Sequence, residues 1–354
     1  MTWDVALILG IDGIANGAIY LLAGLGLVLI FSVTRVVFVP FGDVAAFAAL
    51  SLAAFEVGRL PPTVGLVAML ALLAVAAEVW SLVRRGETAR IPRAVLGWGV
   101  LPLLPCALAW ACASMVGGKL PHALSVVLAV ALVVPITPLV ARVALQPIAD
   151  ASVLVLLIAS LALHFLLSGL GLLFFGPEGF RTAPLASGAI TLPGGFPVSG
   201  QVMLMLASAV VLSGLFFLAF ERTVAGKALR ATAVNRVGAR LVGIRPARTA
   251  LLAYTAASLL AGLIGVLVAP ITTMYYDSGF LIGLKAFVAA IIGGLVSYPL
   301  TAIGALAVGV VESFGSFWSG ALKDVIVFSL LIPVLLLRSA LARHAEEEQE
   351  EIET

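Results

Sequence analysis

The sequence is a succession of long apolar runs separated by short polar loops. A helix needs about 20 apolar residues to cross the hydrocarbon core of a bilayer. Because 62% of the residues are hydrophobic and only 11% are charged, a soluble globule of this composition could not hydrate its own surface. The composition excludes a soluble enzyme, a nucleic-acid-binding protein and a disordered scaffold, and it predicts a chain surrounded by a lipid bilayer. The runs occupy 5–32, 38–57, 62–82, 95–115, 122–141, 152–175, 200–220, 250–276, 283–296, 300–318 and 322–338.

These runs are too long and too uniformly apolar for β-barrel strands, which are short and alternate polar with apolar residues. We therefore expect an all-α polytopic membrane protein with about 9–11 hydrophobic segments, one or two of them broken or half-spanning. A single transmembrane domain is expected over 1–344. The stretch 345–354 carries six glutamates and is expected to form an acidic, solvated tail.

Lysine and arginine concentrate in particular loops, and this distribution predicts the orientation of the chain. Loops rich in these bases stay on the cytoplasmic side of a bacterial inner membrane. The 221–248 stretch holds seven bases against one acid, and the 176–199 loop holds only Glu178 and Arg181. We expect the first loop inside and the second outside, which by alternation places the N-terminus outside and the C-terminus in the cytoplasm. The other cytoplasmic bases are Arg84, Arg85, Arg90 and Arg93 after the third run and Arg338 and Arg343 after the last.

Two segments, one in each half of the chain, depart from the pattern of a full crossing. The 283–296 run is short and ends in Gly293-Gly294, and the 33–45 region is broken by Pro40, Gly42 and Asp43. Short or Gly/Pro-interrupted segments in both halves indicate the binding region of a transporter. We therefore expect the solute path near these two segments.

The chain lacks the motifs of a self-powered or catalytic protein. Gly226-Lys227 is followed by Ala228 rather than Ser or Thr, so no nucleotide-binding P-loop is present. The three histidines lack metal-ligand spacing, and the two cysteines fit neither a zinc site nor a redox pair. We expect no enzymatic activity, no catalytic residue, no metal and no cofactor. Energy for transport must then come from an ion gradient or from a partner protein.

An ion-gradient-driven secondary transporter is the alternative function, and it would need charged groups inside the spans. Most candidates lie within a turn or two of the end of a run, where snorkelling explains them, and Asp43 and Glu312 are the hardest to explain in this way. A membrane-embedded enzyme or a structural subunit is a further alternative, although the spans hold no convergent polar constellation for an enzyme. The candidates are Asp12, Asp43, Glu56, Glu78, Lys285, Glu312 and Asp324.

The longest polar stretch between runs, 221–244, has the composition of a helix rather than of a loop. Apolar residues recur at helical spacing from Val224 to Leu241, and bases fill the other positions. This pattern predicts one or two amphipathic helices with breaks at Gly226 and Gly238. Such helices either lie on anionic headgroups or dock onto another subunit.

The same stretch resembles the coupling loop of branched-chain amino acid ABC transporter permeases, a form of the EAA motif that docks into a groove on the ATPase. Three further stretches resemble that family in the same order: 13–35, 283–312 and the last run from Lys323-Asp324 to Phe328. The resemblance covers most of the chain apart from 83–120, which looks like an insertion. The matching residues of the 221–249 coupling loop are Glu221, Gly226, Ala228, Arg230, Ala231, Ala233, Asn235, Ala239, Leu241 and Gly243.

The resemblance implies a permease subunit of an ABC importer with several partners. These are two ATP-binding cassette subunits, a second permease that is a paralogue or a copy, and a periplasmic solute-binding protein. Gly226 and Gly243 are expected to allow the turns of the coupling loop. Arg230 and Glu221 are expected to make polar contacts with the ATPase.

For the substrate path we expect Asn16, Tyr20, Phe41, Asp43 and Lys285. Three of these residues also have a purely structural interpretation. Asn16 would form a hydrogen bond between helices, Tyr20 would be a packing aromatic, and Lys285 would be a snorkelling base. Where the family typically has Asn-Phe-Ala-His-Gly-Asp, 38–43 reads Phe-Val-Pro-Phe-Gly-Asp. The expected cargo is a branched-chain or related amino acid or small carboxylate, and this replacement favours a more apolar or aromatic one.

Overall fold

The computed structural model describes residues 3–116, 120–192 and 196–336, and it is almost entirely helical. A short antiparallel hairpin, β1 (Ala189–Leu192) with β2 (Phe196–Ser199), is the one sheet among the described residues. The chain is an all-α polytopic membrane protein, as predicted. Its helices are α1 (Trp3–Thr34), α2 (Phe41–Glu56), α3 (Thr63–Arg84), α4 (Ile91–Val95), α5 (Leu101–Val116), α6 (His122–Val133), α7 (Ile136–Val140), α8 (Val153–Phe175), α9 (Gly200–Arg222), α10 (Val224–Val234), α11 (Arg236–Leu241), α12 (Pro246–Val268), α13 (Gly279–Ile292), α14 (Tyr298–Trp318) and α15 (Lys323–Ser329).

Eight helical stretches in the described part of the chain are long and apolar enough to cross a membrane. Two of them contain a π-helical turn: in Thr88–Met115 it joins α4 to α5, and in His122–Ile148, which includes α6 and α7, it follows α7. The remaining apolar runs form the shorter helices α2, α13 and α15 of 16, 14 and 7 residues. The expected mixture of full and half-length segments is therefore confirmed. The acidic stretch 345–354 lies outside the described residues.

One predicted boundary is wrong. The run at 250–276 is not helical throughout, because α12 begins earlier, at Pro246, and ends at Val268. Pro270 cannot donate to the helical ladder, so the backbone leaves the helix immediately before it. The residues that follow pair instead with the 176–199 loop, where the Phe180 amide donates to the Met274 carbonyl oxygen at 2.9 Å.

The loops sort to two ends of the helix bundle in agreement with the predicted alternation. At one end, arginines of the loop after α3 and of the 221–248 stretch line the same cavity. At the other end, Glu56 accepts a hydrogen bond from the Ala183 amide at 3.2 Å and lies 3.2 Å from His122. Helix α3 runs from the second end to the first, so the basic loops and the 176–199 loop lie on opposite sides of the bundle. We call these the arginine end and the hairpin end.

Helix α1 lies near the centre of the bundle and packs on α9, α12, α13 and α14. Gly13 and Gly17 of α1 face Gly309 of α14, so the two backbones approach closely, which a Gly-x-x-x-Gly spacing allows. Helix α2 is enclosed as well, with Phe41 and Phe47 almost completely buried. In the span Thr88–Met115, by contrast, only 11% of the residues in the most apolar stretch are buried. This span lies at the periphery and packs mainly on α3 and α6.

Candidate functional site

The stretch between α9 and α12 forms two short helices held by specific caps. The Thr223 hydroxyl accepts a hydrogen bond from the Gly226 amide at 3.0 Å, and the Asn235 side chain accepts one from Gly238 at 2.9 Å. The helix breaks are therefore at Thr223 and Asn235, and the predicted breaks at Gly226 and Gly238 are wrong. Ser, Thr and Asn side chains accept hydrogen bonds from the first amides of the helix that follows them, so they mark where a new helix begins. Thr223 and Asn235 could therefore have been recognised as caps from the sequence.

Two glycines of this stretch are required by the backbone. A Cβ on Gly226 would collide with the last turn of α9, at Ala219 and Phe220, so α10 can fold back on α9 only with glycine here. Gly243 has a φ of +84°, a left-handed conformation that ends α11 and that other residues rarely adopt. The expectation that these two glycines allow the turns agrees with this geometry.

The structure pairs Arg230 and Glu221 with each other. The Arg230 Nη1 atom lies 2.5 Å from the Glu221 Oε1 atom, and the two side chains are 43% and 41% exposed. This ion pair fastens α10 to α9. On the inner side of α10, Leu229 is buried against Leu29 and Val33 at the end of α1. A contact of either charged residue with an ATPase stays a prediction.

The outer side of α10 and α11 carries exposed apolar residues. These side chains are between 67% and 86% exposed, although most apolar side chains of that size are buried in proteins. Of the other residues expected to couple to an ATPase, Ala228 and Ala231 are half-buried and Ala239 is buried. We call the exposed set the outer apolar row; it comprises Val224, Val234, Val237, Leu241 and Val242.

A second group of interest is a buried ionic cluster that joins four helices. The Lys285 Nζ atom of α13 lies 2.5 Å from the Glu312 Oε1 atom of α14 and 2.8 Å from the Asp324 Oδ1 atom of α15. The Tyr20 hydroxyl of α1 donates a hydrogen bond to the other oxygen of Glu312. Two predicted substrate-path residues, Tyr20 and Lys285, thus meet through Glu312. The snorkelling alternative for Lys285 is wrong, because its side chain is only 6% exposed and points at two carboxylates.

Asp43 belongs to a separate buried pair. It is completely buried in the first turn of α2, and its Oδ2 atom lies 2.7 Å from the Nδ1 atom of His164 in α8. The His164 ring stacks on Phe280 of α13 with the ring centroids 4.3 Å apart. The second oxygen of Asp43 has no hydrogen-bond partner among the described residues. Sequence reasoning missed His164, because a single histidine in an apolar run gives no sign of its partner.

The remaining predicted path residues do not join either cluster through side-chain contacts. Phe41 is buried with its ring against Gly26 of α1. Asn16 is half-buried on α1, one turn before Tyr20, and its side chain makes no hydrogen bond with the residues that the structure describes. The structure thus separates the five predicted residues into two polar centres and two flanking positions.

The two irregular segments predicted from the sequence meet in the interior. The backbones of Gly42 in α2 and Gly279 in α13 are in contact so close that neither position has room for a Cβ atom. Neither helix has a side-chain cap at its N-terminus, where Pro40 and Ser278 occupy the cap positions. The first amide groups of a helix carry partial positive charge and have no partner within the helix. Two helix N-termini therefore converge beside Asp43.

Comparison with known proteins gives a consistent result over most of the chain. The family model described as branched-chain amino acid transport system / permease component matches residues 10–335. The chain is similar to the high-affinity branched-chain amino acid transport system permease protein BraD of Pseudomonas aeruginosa, with 36% identity over 39% of this chain and 45% of the relative. It is similar to the permease protein LivH of Salmonella typhimurium and of Escherichia coli K12, with 31% identity over 55% of this chain and 66% of each relative.

The alignments therefore span from under half to just under two thirds of the relatives' lengths. No solved structure matches the chain. The family model, by contrast, extends from α1 to the end of the described residues, and it includes the coupling stretch and both polar centres. The chain is a multi-pass membrane protein that belongs to the branched-chain amino acid transport permease family.

Proposed function

We propose that this chain is the transmembrane permease subunit of an ABC importer for branched-chain or related amino acids, including more aromatic ones, or small carboxylates. In this proposal a second permease completes the pathway, two ATPase subunits bind at the arginine end, and a solute-binding protein delivers cargo at the hairpin end. The arginine end then faces the cytoplasm, as the distribution of bases predicts. The names of the curated relatives, which are branched-chain amino acid permeases, support this assignment.

The observation that carries the proposal is the outer apolar row on α10 and α11. Exposed apolar side chains grouped on two short helices at a basic end are typical of a surface that another protein covers. The inner side of α10 packs on α1 through Leu229, and the Glu221–Arg230 ion pair fixes it to α9. A force applied to the outer apolar row would thus be transmitted to α1 through direct contacts. ATP-driven closure of the ATPases would rock the bundle between outward-facing and inward-facing states.

The converging N-termini of α2 and α13 are the proposed contact for the solute. A free amino acid carries a carboxylate and an ammonium group. Helix N-termini favour the carboxylate, and the unpaired oxygen of Asp43 offers an acceptor for the ammonium group. Phe280 and Phe41 supply apolar surface nearby, in agreement with a cargo that has an apolar side chain.

Co-purification with the ATPase tests the coupling surface. Val237→Asp and Leu241→Asp should each lower the amount of ATPase retained by about tenfold or more, since each would bury an unpaired carboxylate in an apolar interface. Both side chains are exposed in the chain alone, so the variants should fold. Ile190→Asp, an exposed apolar residue at the hairpin end, is the matched control. Full retention of the ATPase by both coupling variants would refute the proposed surface.

Charge reversal separates an internal role of the ion pair from a contact with the ATPase. Arg230→Glu should weaken retention because it repels Glu221 and loosens α10. If the pair acts within the chain, the double variant Glu221→Arg/Arg230→Glu should restore retention. If Arg230 touches the ATPase itself, the double variant should remain as defective as the single one.

Transport in proteoliposomes tests the function as a whole and the alternative to it. Vesicles that hold this chain, the partner permease and the ATPase should take up labelled leucine or phenylalanine only with ATP and the binding protein. Asp43→Asn should reduce uptake without lowering ATPase retention, because Asp43 lies away from the coupling helices. Uptake driven by a proton or sodium gradient with this chain alone would instead establish a secondary transporter.

A further inference from the structure

A large cavity among the described residues lies at the arginine end and is not part of either polar centre. Its volume is about 980 Å³, and it is enclosed by the loop and helices after α3, the turns after α7, and α11 with the start of α12. This size is ample for the headgroup of a lipid or for a small phosphorylated metabolite. The cavity therefore has room for a ligand as well as for water.

The lining of this cavity is strongly basic. Seven arginines face it, against only three carboxylates. Two carboxylates are already paired: Glu87 lies 2.6 Å from Arg90, and Glu78 accepts from Arg142. The third, Asp150, is exposed and forms no salt bridge with the described residues. The other arginines at the cavity, Arg85, Arg93, Arg236, Arg240 and Arg248, have no acidic partner among the described residues.

Two details describe how the arginines at the cavity are held. The Nε atom of Arg236 is shielded from solvent and has no hydrogen-bond partner in the described part of the chain. Leaving such a donor unsatisfied costs free energy. Because this atom is closed off from the cavity, an anion would satisfy it only after the Arg236 side chain turned toward the cavity. On the other wall, the Trp98 ring stands beside the Arg142 guanidinium, whose carbon lies 5.7 Å from the ring centroid. Arg142 also donates to Gln146 at 2.6 Å, so this wall is held in place.

We propose that this cavity binds a phosphate-bearing anion. A planar guanidinium group can donate two parallel hydrogen bonds to two oxygens of one phosphate. Several arginines around one cavity therefore favour a phosphate group over a single carboxylate. The phosphate belongs to the headgroup of an anionic phospholipid or to a soluble phosphate compound. Either ligand would connect the 83–116 segment with α11, so it would tie the peripheral helices to the helices that we assign to coupling.

The test uses the full chain in dodecyl maltoside micelles. Native mass spectrometry would count retained dioleoylphosphatidylglycerol and dioleoylphosphatidylcholine, and thermal unfolding would be followed with each lipid and with inorganic pyrophosphate. In the triple variant Arg85→Gln/Arg93→Gln/Arg248→Gln the affinity for the bound anion should fall about tenfold or more, since each base near an anionic group strengthens its binding severalfold.

A matched variant separates a site from general attraction to a basic surface. Arg84, Arg222 and Arg245 lie at the same end but do not line the cavity. The triple variant Arg84→Gln/Arg222→Gln/Arg245→Gln removes the same total charge and should keep the wild-type affinity. Because a triple variant can fail to fold, the single variants Arg85→Gln and Arg84→Gln, at adjacent positions, repeat the comparison.

The outcomes are distinct. Retention of phosphatidylglycerol that depends on the cavity arginines and resists pyrophosphate would identify a lipid headgroup. If pyrophosphate raises the unfolding temperature in micelles to which only phosphatidylcholine has been added, and the increase depends on the same arginines, the ligand is a soluble anion. Equal losses in the cavity and control variants would overturn the proposal. So would a wild type that neither prefers phosphatidylglycerol to phosphatidylcholine nor is stabilised by pyrophosphate.

Discussion

The buried ionic cluster allows a prediction of how much one charge contributes to stability. Lys285→Met removes the ammonium group that lies 2.5 Å from Glu312 and 2.8 Å from Asp324. The Glu312 side chain is only 10% exposed, so its carboxylate would stay buried with the Tyr20 hydroxyl as its remaining partner. Asp324 is 31% exposed and can be hydrated, so it adds little. Breaking a buried pair by removing one member costs about 3–5 kcal/mol, and we expect a loss in this range.

Removing the opposite charge should cost less. In Glu312→Gln the new amide oxygen can still accept the hydrogen bond from the Tyr20 hydroxyl, and Lys285 still pairs with Asp324. We therefore expect the free energy of unfolding to fall by only about 1–2 kcal/mol. In the double variant Lys285→Met/Glu312→Gln no buried carboxylate is stranded in α14. Its loss should therefore be smaller than the sum of the two single losses by about 2 kcal/mol, which is the coupling free energy of the pair.

The assay is equilibrium unfolding by SDS in mixed dodecyl maltoside micelles, followed by tryptophan fluorescence and far-UV circular dichroism. Lys227→Met, which removes an exposed lysine of α10, is the control and should change the free energy of unfolding by less than about 0.5 kcal/mol. If Lys285→Met costs no more than this control, or if the two single losses are additive in the double variant, the cluster is not a buried ion pair.

Three further changes have expected outcomes in the same assay. Gly279→Ala places a Cβ against the backbone of α2 and should destabilise the chain by about 1–3 kcal/mol, while Gly10→Ala, which meets no neighbouring atom, should be neutral. Gln201→Leu should cost about 1–3 kcal/mol, because its buried carboxamide bridges a loop amide and a carbonyl of α12 at 2.9 and 2.8 Å. His164→Leu leaves Asp43 buried without its partner and should cost more than the double variant Asp43→Leu/His164→Leu; the reverse order would contradict the assigned pair.

The helices could be predicted because a helix needs about 20 consecutive apolar residues to cross a bilayer, and runs of this length are visible in the sequence. The run predicted at 62–82 corresponds to α3 at Thr63–Arg84, and that at 152–175 to α8 at Val153–Phe175. The two irregular segments were also correctly identified, since Pro40 and Gly293-Gly294 interrupt apolar runs in ways that a plain span does not. These signals are local, so a single sequence contains them.

The partners of polar side chains could not be predicted, because they depend on which helices become neighbours. His164 and Asp43 are 121 positions apart, and nothing in either run indicates the other. Lys285 was open to a snorkelling interpretation because it lies near the start of a short run, and only the position of α14 and α15 excludes it. The Glu221–Arg230 pair was likewise expected to face another protein, since a loop pattern cannot distinguish an internal contact from an external one.

The central position of α1 has a consequence for how the chain is made. Its partners α12, α13 and α14 are synthesised much later than α1, and the hydrogen bond from Tyr20 to Glu312 spans 292 positions. Helix α1 must therefore wait, with its glycine face uncovered, until α14 has been inserted. Chains truncated before α14 should be recognised and degraded by membrane proteases, and insertion of α12, α13 and α14, rather than insertion of α1, should limit the rate of maturation.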